Sequence, residues 1–208
     1  MSAPEHDAAA RIRRRAPGER SRRRILEQAA QLATIEGLDG LSIGRLAQAS
    51  AMPKSSVYVL FGSKEQLQLA TVEAARTSFV NQVVVPALSS REPGRGRLLA
   101  LCEGYLSYVE RRVFPGGCFF VAASAELGAR PGPVHDLVAR YQQEWRDLLE
   151  HEAQEAHGRH ELAPETDPGQ LAFELGAILA GTNIVAVLHN DDTAIERARR
   201  VVSERLVP

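Results

Sequence analysis

Apolar residues recur at helical spacing over most of this chain, and that periodicity limits the folds open to it. In the clearest stretch, apolar side chains lie three or four residues apart with charged residues opposite: Val134, Leu137, Val138, Tyr141, Trp145, Leu148 and Leu149. The alternation and paired turns expected of a sheet are missing. The chain has 208 residues, 44% of them hydrophobic, and can bury a core without a metal or a disulfide. The sequence therefore predicts an all-α fold of about nine helices.

Charge divides the chain into two parts. Residues 1–64 carry 11 Lys and Arg against 6 Asp and Glu, whereas residues 65–208 carry 14 against 20, for a net charge of −1. A basic end on an acidic body favours a polyanionic partner for that end, with nucleic acid the leading candidate. Residues 1–20 are rich in Ala, Arg and Pro without apolar periodicity, which predicts a disordered basic arm. That arm either contacts DNA or is a solvated tail.

Two short helices follow a longer first helix that ends at Gly37. Ser42 is a suitable N-cap for the second helix, and Pro53 for the first position of a third that ends near Phe61. These lengths are typical of a helix-turn-helix whose second helix enters the major groove. Lys54 and its neighbours can donate to bases or phosphates.

A capping box at Ser63 and Gln66 begins a fourth helix, predicted to run to about Val85 and to close at Pro86. With Lys64, this helix start forms an anion site that could clamp a phosphate, although ordinary capping explains each residue alone. A rod of roughly 33 Å could carry a displacement from a ligand site to the head.

The order and spacing of these residues resemble the tetracycline-repressor (TetR) family signature over about residues 22–70. The pattern Tyr-x-x-Phe followed by Ser-Lys-Glu is more specific than a helix-turn-helix alone. The resemblance implies a helix-turn-helix DNA-binding domain at residues 21–66 and an effector-binding and dimerisation domain at residues 67–208. It also implies a ligand-responsive regulator, usually a repressor, although an activator with the same head stays open.

The resemblance also supplies a DNA-contacting set. The side chains nearest the bases would be Lys54, Ser55, Ser56 and Val59, and phosphates would be held by Ser42, Tyr58 and Lys64. Arg22 completes the predicted DNA-contacting set. One position departs from the family pattern, because the turn that usually holds Gly has Ala51. If the backbone there needs a positive φ, the turn carries strain of roughly 1 kcal/mol.

The second part of the chain carries candidate effector contacts and a candidate interface. A small-molecule site is mostly apolar with a few polar anchors, which suggests Phe79, Tyr105, Phe119, Phe120, Trp145 and Asn183; plain core is the alternative for each. A helix from Gln170 to His189 is apolar nearly all round, which favours a dimer interface over a membrane span. Its small residues and the last helix supply the predicted interface: Ala172, Gly176, Ala180, Ile195 and Val202. The family usually dimerises through a four-helix bundle made from the last two long helices of each subunit. A symmetric dimer of this kind would require a palindromic operator.

An enzyme is not indicated, because no nucleophile-base pair, phosphate loop or metal spacing rises above chance. His151, His157 and His160 do not share a helix face. Cys102 and Cys118 read as small buried hydrophobes, with a redox-sensing thiol as the alternative. No cofactor, metal or membrane partner is expected. The sequence shows no apolar targeting segment, so we expect a cytoplasmic protein.

Overall fold

The structure, a computed structural model, describes residues 5–207 and, from Ser21 onward, their side chains. The described residues form nine helices and no strand, which confirms the all-α prediction. The helices are α1 (Glu5–Glu36), α2 (Ile43–Ala49), α3 (Lys54–Phe61), α4 (Lys64–Phe79, continued by a π-helical turn at Val80–Val84 and by Val85–Ser90), α5 (Arg95–Glu110), α6 (Phe119–Leu127), α7 (Pro133–Gly158), α8 (Pro168–Leu188) and α9 (Thr193–Arg205).

The predicted N-terminal arm overlaps helix α1. Residues 1–4 of the arm lie outside the described residues, and the backbone is helical from Glu5 onward. Ala, Arg and Glu, which fill much of this stretch, are among the strongest helix formers. The structure therefore has helical backbone over residues 5–20, where the sequence predicted disorder.

Helices α1 to α3 and the start of α4 enclose the core of the head. Its buried residues are Ile25, Leu26, Ala29, Leu41, Ile43, Leu46, Ala47, Val57, Phe61 and Leu67. One residue further along α1, Ala30 belongs to the larger core of the body, as does Val72 of α4. Helices α1 and α4 thus contribute to both cores, and the head is packed directly onto the body.

Helix α4 does not close at Pro86, and this prediction is wrong. The chain remains helical to Ser90 through the π-helical turn, in which the Val85 amide donates to the carbonyl of Val80. This wider turn places Pro86 in the first turn of the next α-helical segment.

Helix α5 lies at the centre of the body and contacts α4, α7, α8 and α9. The stripe predicted for it is buried throughout: Leu98, Leu101, Cys102, Tyr105 and Val109. Glu152 of α7 is 1% exposed and accepts a hydrogen bond from the Gly94 amide (2.9 Å) at the start of α5. Its carboxylate also lies 3.3 Å from the guanidinium of Arg97, which gives this helix start a buried ionic anchor.

Candidate functional site

The turn between α2 and α3 has the geometry of a helix-turn-helix. Ser42 caps α2, with extended backbone (φ −135°) and its hydroxyl accepting from the Arg45 amide at 3.1 Å. Ala51 has φ 51°, in the left-handed region. The positive φ expected at this position is present on a residue with a Cβ, which costs roughly 1 kcal/mol.

Helix α3 separates an anchoring face from an outward face. Val57 and Phe61 are buried in the head core, whereas Tyr58 is 60% and Val59 83% exposed. The remaining members of the predicted set on this helix are Lys54 and Ser55, both exposed, and Ser56, half-buried. This surface of α3 suits the major groove of DNA. The exposed valine can contact a thymine methyl group, while the neighbouring hydroxyl and ammonium groups donate to bases and phosphates.

Arg22 and Lys64 flank this surface. The Arg22 guanidinium lies over the Phe61 ring at 5.4 Å and remains exposed. The Lys64 ammonium donates to the Asp39 carbonyl at 2.7 Å, so part of the predicted phosphate clamp already binds the α1–α2 turn. Ser63 caps α4 through Gln66 N (3.1 Å), but its own amide donates to Phe61 O rather than to the Gln66 side chain.

The turn between α1 and α2, residues 37–40, is held by the far end of α6. One Glu126 carboxylate oxygen accepts from the Leu38 amide and the other from the Asp39 amide, both at 2.7 Å. Arg130, just beyond α6, binds the Asp39 carboxylate. From α4, the Gln68 amide donates to the Leu38 carbonyl at 2.6 Å. We call this set of contacts the head clamp; it ties the position of the head to that of α6.

A second contact joins the head to the connection before α6. The Gly116 amide donates to the Thr34 hydroxyl of α1 at 3.1 Å, and a Cβ at Gly116 would collide with the Thr34 carbonyl. Two residues later, the Cys118 amide donates to the Asn183 side-chain oxygen of α8 at 2.7 Å. The loop between α5 and α6 is therefore held between α1 and α8, and only glycine fits at position 116.

A cavity of about 510 Å³ lies in the body between α4, α5, α6, α7 and α8. Four predicted effector contacts line it: Phe79, Tyr105, Phe120 and Trp145. The other two do not. Phe119 is 2% exposed and packs against Phe120 (5.4 Å between ring centroids) on the core side of α6. Asn183 is occupied by the Cys118 amide.

The cavity is also lined by Cys118 and Val121, which share the apolar start of α6 with Phe120. Other cavity residues were not singled out in the sequence as effector contacts. They include Arg76, Val80, Val84, Ser124, Tyr141, Gln142, Glu144, Leu148 and Phe173. Tyr141 and Leu148 belong to the apolar stripe of α7, but periodicity does not distinguish a side chain that faces a cavity from one that faces packed core.

Matches to known families follow the two parts of the chain. A family model described as "Bacterial regulatory proteins, tetR family" matches residues 25–71, and one described as "Tetracyclin repressor-like, C-terminal domain" matches residues 94–202. The chain belongs to the TetR family. It is a DNA-binding transcriptional regulator, in a family of ligand-responsive regulators rather than enzymes.

Individual relatives agree with this assignment. The transcriptional repressor NemR of Escherichia coli K12 is 24% identical over 178 residues, covering 86% of this chain and 89% of NemR. A TetR regulator from Chloroflexus aurantiacus is 27% identical, with a TM-score of 0.82 and coverage of 91% and 95%. AibR in complex with isovaleryl coenzyme A and operator DNA is 23% identical, with a TM-score of 0.70 and coverage of 90% and 99%, and shows the same fold.

Of the predicted interface residues of this TetR-family chain, Ala172, Ile195 and Val202 are buried within the subunit, whereas Gly176 and Ala180 are half-buried. Ala172, Gly176 and Ala180 line the cavity, and Ile195 and Val202 are 0% and 1% exposed. The outward face of α8 carries other apolar side chains: Phe173 (67% exposed), Ile184 (52%) and Leu188 (73%). By length and mean hydropathy (1.9) α8 could cross a membrane, but its inner face packs on α5, α7 and α9.

Burial determines the protonation state of the two cysteine thiols. It raises the pKa of Cys102 to about 12 and also raises the pKa of Cys118, so both are protonated at neutral pH. Thiolates are the reactive form, which makes both side chains poor nucleophiles here. His151 and His160 are exposed and His157 is half-buried. Within residues 21–207, no three His, Cys, Asp or Glu side chains are grouped as a metal site.

Proposed function

We propose that this protein is a dimeric repressor that acts in the cytoplasm, binds a palindromic operator and is released by a small molecule bound in the cavity. The observation that carries the proposal is the path of α6. At one end, Phe120 and Val121 line the cavity; at the other, Glu126 holds the α1–α2 turn of the head. A ligand that displaces the first end must move or strain the second.

Docking of the head uses the outward face of α3. Lys54, Ser55 and Val59 would contact base edges, while Tyr58 and Ser42 would hold phosphates. Arg22 and Lys64 stand at the flanks, and Lys64 can exchange its bond to Asp39 for one to a phosphate. Such an exchange would link DNA binding to the same turn that the head clamp holds.

Release requires two arrangements of the head relative to the body. The contact between Thr34 and Gly116 leaves no room for sliding and would act as a pivot, whereas the head clamp consists of hydrogen bonds that can be exchanged for water. A ligand that prefers the arrangement with a displaced α6 would shift the population towards it. In the dimer, this shift would change the separation of the recognition helices.

Dimerisation would use the outward face of α8. Phe173, Ile184 and Leu188 form an exposed apolar stripe, continued on α9 by Val201. Burying that stripe against a second copy gives a symmetric contact. Two recognition helices roughly 34–36 Å apart would then read half-sites one DNA turn apart. Leu188→Glu should convert the dimer to a monomer in light scattering, with exposed Ile35→Glu of α1 as the control.

Fluorescence anisotropy tests the DNA-binding part of the proposal. The full chain is titrated into labelled DNA from upstream of its own gene, with random DNA as competitor and at several salt concentrations. We expect tight, salt-sensitive binding that resists the competitor. Tyr58→Ala and Lys54→Ala should weaken it, whereas Arg200→Ala, which removes an exposed charge on α9, should not. Binding no tighter than to random DNA would count against an operator in that region.

A further inference from the structure

The inner wall of the cavity is built from aromatic rings. Phe79 lies edge-on to Trp145 (5.2 Å between centroids, 90°), to Tyr105 (6.2 Å, 70°) and to Phe120 (6.3 Å, 76°). Tyr105 and Trp145 are stacked, with an angle of 22° between their planes. Aromatic rings attract one another in such edge-to-face and stacked arrangements. The wall therefore favours a flat aromatic ligand over a flexible aliphatic one.

One polar group in this wall lacks a partner. Tyr105 is 3% exposed, and its hydroxyl makes no hydrogen bond to a nitrogen or oxygen of the described residues; its polar neighbour is the Cys118 thiol, which is only a weak hydrogen-bonding group. Burial, and then the neighbouring Cys118, raises the pKa of Tyr105 well above its usual value, so the hydroxyl keeps its proton and can donate. Buried polar groups in proteins are nearly always paired, and one that is not calls for an explanation. A ligand oxygen would supply the missing acceptor.

Two other polar side chains beside the cavity already have partners. The Gln142 amide donates to the Ser124 hydroxyl at 3.0 Å, and the Tyr141 hydroxyl donates to the Glu73 carboxylate at 2.6 Å. These groups gain no new bond unless a ligand breaks an existing one. Trp145 also carries an indole N–H donor, but its side chain is half-buried, whereas Tyr105 is 3% exposed. The Tyr105 hydroxyl therefore gains most from a ligand acceptor.

Charged side chains lie at the rim of the cavity rather than at its aromatic wall. Arg76 and Glu144, 40% and 47% exposed, pair with each other at 2.8 Å. Arg146 is exposed and donates to Gln143. An anionic ligand group placed against the aromatic wall would lose its hydration without gaining a counter-ion, which is strongly unfavourable. The cavity therefore favours an uncharged ligand over an anionic one.

We propose that the effector is an uncharged aromatic molecule that carries a hydrogen-bond acceptor, such as a ketone oxygen, bound by the Tyr105 hydroxyl. The inference rests on the proposed function, because it names the chemistry of the ligand expected to release the protein from DNA. It does not depend on the identity of the operator. Binding to the cavity and release from DNA can be measured separately.

Isothermal titration calorimetry on the full chain tests this with three naphthalenes of matched shape. 2-Acetonaphthone carries the acceptor, 2-ethylnaphthalene lacks it, and 2-naphthoate replaces the ketone with a charge. Each is titrated into wild type, Tyr105→Phe and Tyr108→Phe. Tyr108 is the matched control, because it is a buried tyrosine of α5 that does not line the cavity.

We expect the ketone to bind wild type more tightly than the other two compounds. Tyr105→Phe should weaken ketone binding roughly 3- to 10-fold, as for one neutral hydrogen bond, and leave the hydrocarbon unaffected. Tyr108→Phe should change neither affinity. The melting temperature of ligand-free Tyr105→Phe should equal or exceed that of wild type, because an unpaired hydroxyl is removed.

The proposal is overturned if naphthoate binds more tightly than the ketone, if no naphthalene binds, or if Tyr105→Phe leaves ketone affinity unchanged. A clear loss of thermal stability in ligand-free Tyr105→Phe would also overturn it, since the hydroxyl would then have a partner in solution. Anisotropy with operator DNA separates the two proposals. Ketone binding that depends on Tyr105 but leaves DNA affinity unchanged would support the ligand class and contradict effector-driven release.

Discussion

Replacing Glu126 with Gln should free part of the α1–α2 turn without unfolding the head. The carboxylate uses one oxygen for the Leu38 amide and the other for the Asp39 amide, both at 2.7 Å. The Gln side chain has a single acceptor oxygen, so at least one amide loses its partner. Hydrogen bonds to a charged group contribute about 1.5–3 kcal/mol each. Since 1.4 kcal/mol is a factor of ten, local opening should become roughly 10- to 150-fold more frequent.

Native-state hydrogen exchange measures this opening directly. In Glu126→Gln, the amides of Leu38 and Asp39 should exchange faster by about that factor. The amide that is left without an acceptor oxygen should change more than the other. The Ser50 amide donates to Leu46 O within the head and serves as an internal reference that should not change. Glu155→Gln supplies the matched variant, because Glu155 makes only an exposed pair with Arg159 on α7.

Two results would refute this reasoning. If exchange at both turn amides changes less than twofold, the carboxylate does not hold the turn in solution. If the Ser50 amide accelerates as much as the turn amides, the substitution has lowered the global free energy of unfolding instead of releasing one contact. Either result would remove the structural basis for coupling through α6.

Three further predictions concern stability. Ala51→Gly relieves the positive φ of the α2–α3 turn but adds freedom to the unfolded chain, so urea unfolding should show a net gain of about 0.5 kcal/mol; a loss would contradict the strain argument. Glu152→Ala leaves Arg97 without its buried partner and should cost about 3–5 kcal/mol, with Glu152→Gln costing less because it can still accept from the Gly94 amide; a Glu152→Ala loss below about 1 kcal/mol would show that the buried pair is unimportant there. Burial raises the pKa of Cys102 from its ordinary value of 9.0 to about 12, so the folded state is favoured while the thiol stays neutral. The folding free energy keeps this contribution in full below pH 9 and loses it as the pH rises towards 12, because the unfolded chain releases the thiol proton more easily. Between pH 7 and pH 10.5, wild type should therefore lose more unfolding free energy than Cys102→Ala, and parallel losses would be inconsistent with this burial effect.

The head was predictable because its signals are local. Ser42 and Ser63 cap the helices that follow them by accepting from amides three residues on, and Gly37 ends α1 with φ 78°. The turn at Ala51 adopts the positive φ that the family pattern implied. Each of these features depends on residues within about one helical turn of each other, which is the range over which sequence patterns are informative.

The cavity and the head clamp depend on contacts that no local pattern encodes. Glu126 lies 88 residues from Leu38 in sequence, and nothing about a glutamate near the end of a short helix indicates its partner. Likewise, the spacing of Ala172, Gly176 and Ala180 shows that something approaches α8 closely, but not whether it is a second subunit or a ligand. The structure places an empty volume there. Small side chains on α8 leave space beside the helix, but that space alone does not identify the group that fills it.

The chemistry of the head clamp fits a regulator better than an apolar contact would. Regulation by a ligand generally requires a coupling free energy of about 1–3 kcal/mol, which changes affinity 5- to 150-fold. Loss of one of the two hydrogen bonds from Glu126 to the backbone amides at the edge of the head would change the free energy by about 1.5–3 kcal/mol, which lies in that range, and water can replace the lost bond. Burying a large side chain at the same place would contribute a similar free energy with no such replacement available. The pivot, by contrast, packs Gly116 directly against the backbone of Thr34 and leaves no space for a side chain between them. Under the proposed function, a close-packed pivot at the end of α1 and an exchangeable clamp on the turn that follows it would let the head rotate without separating from the body.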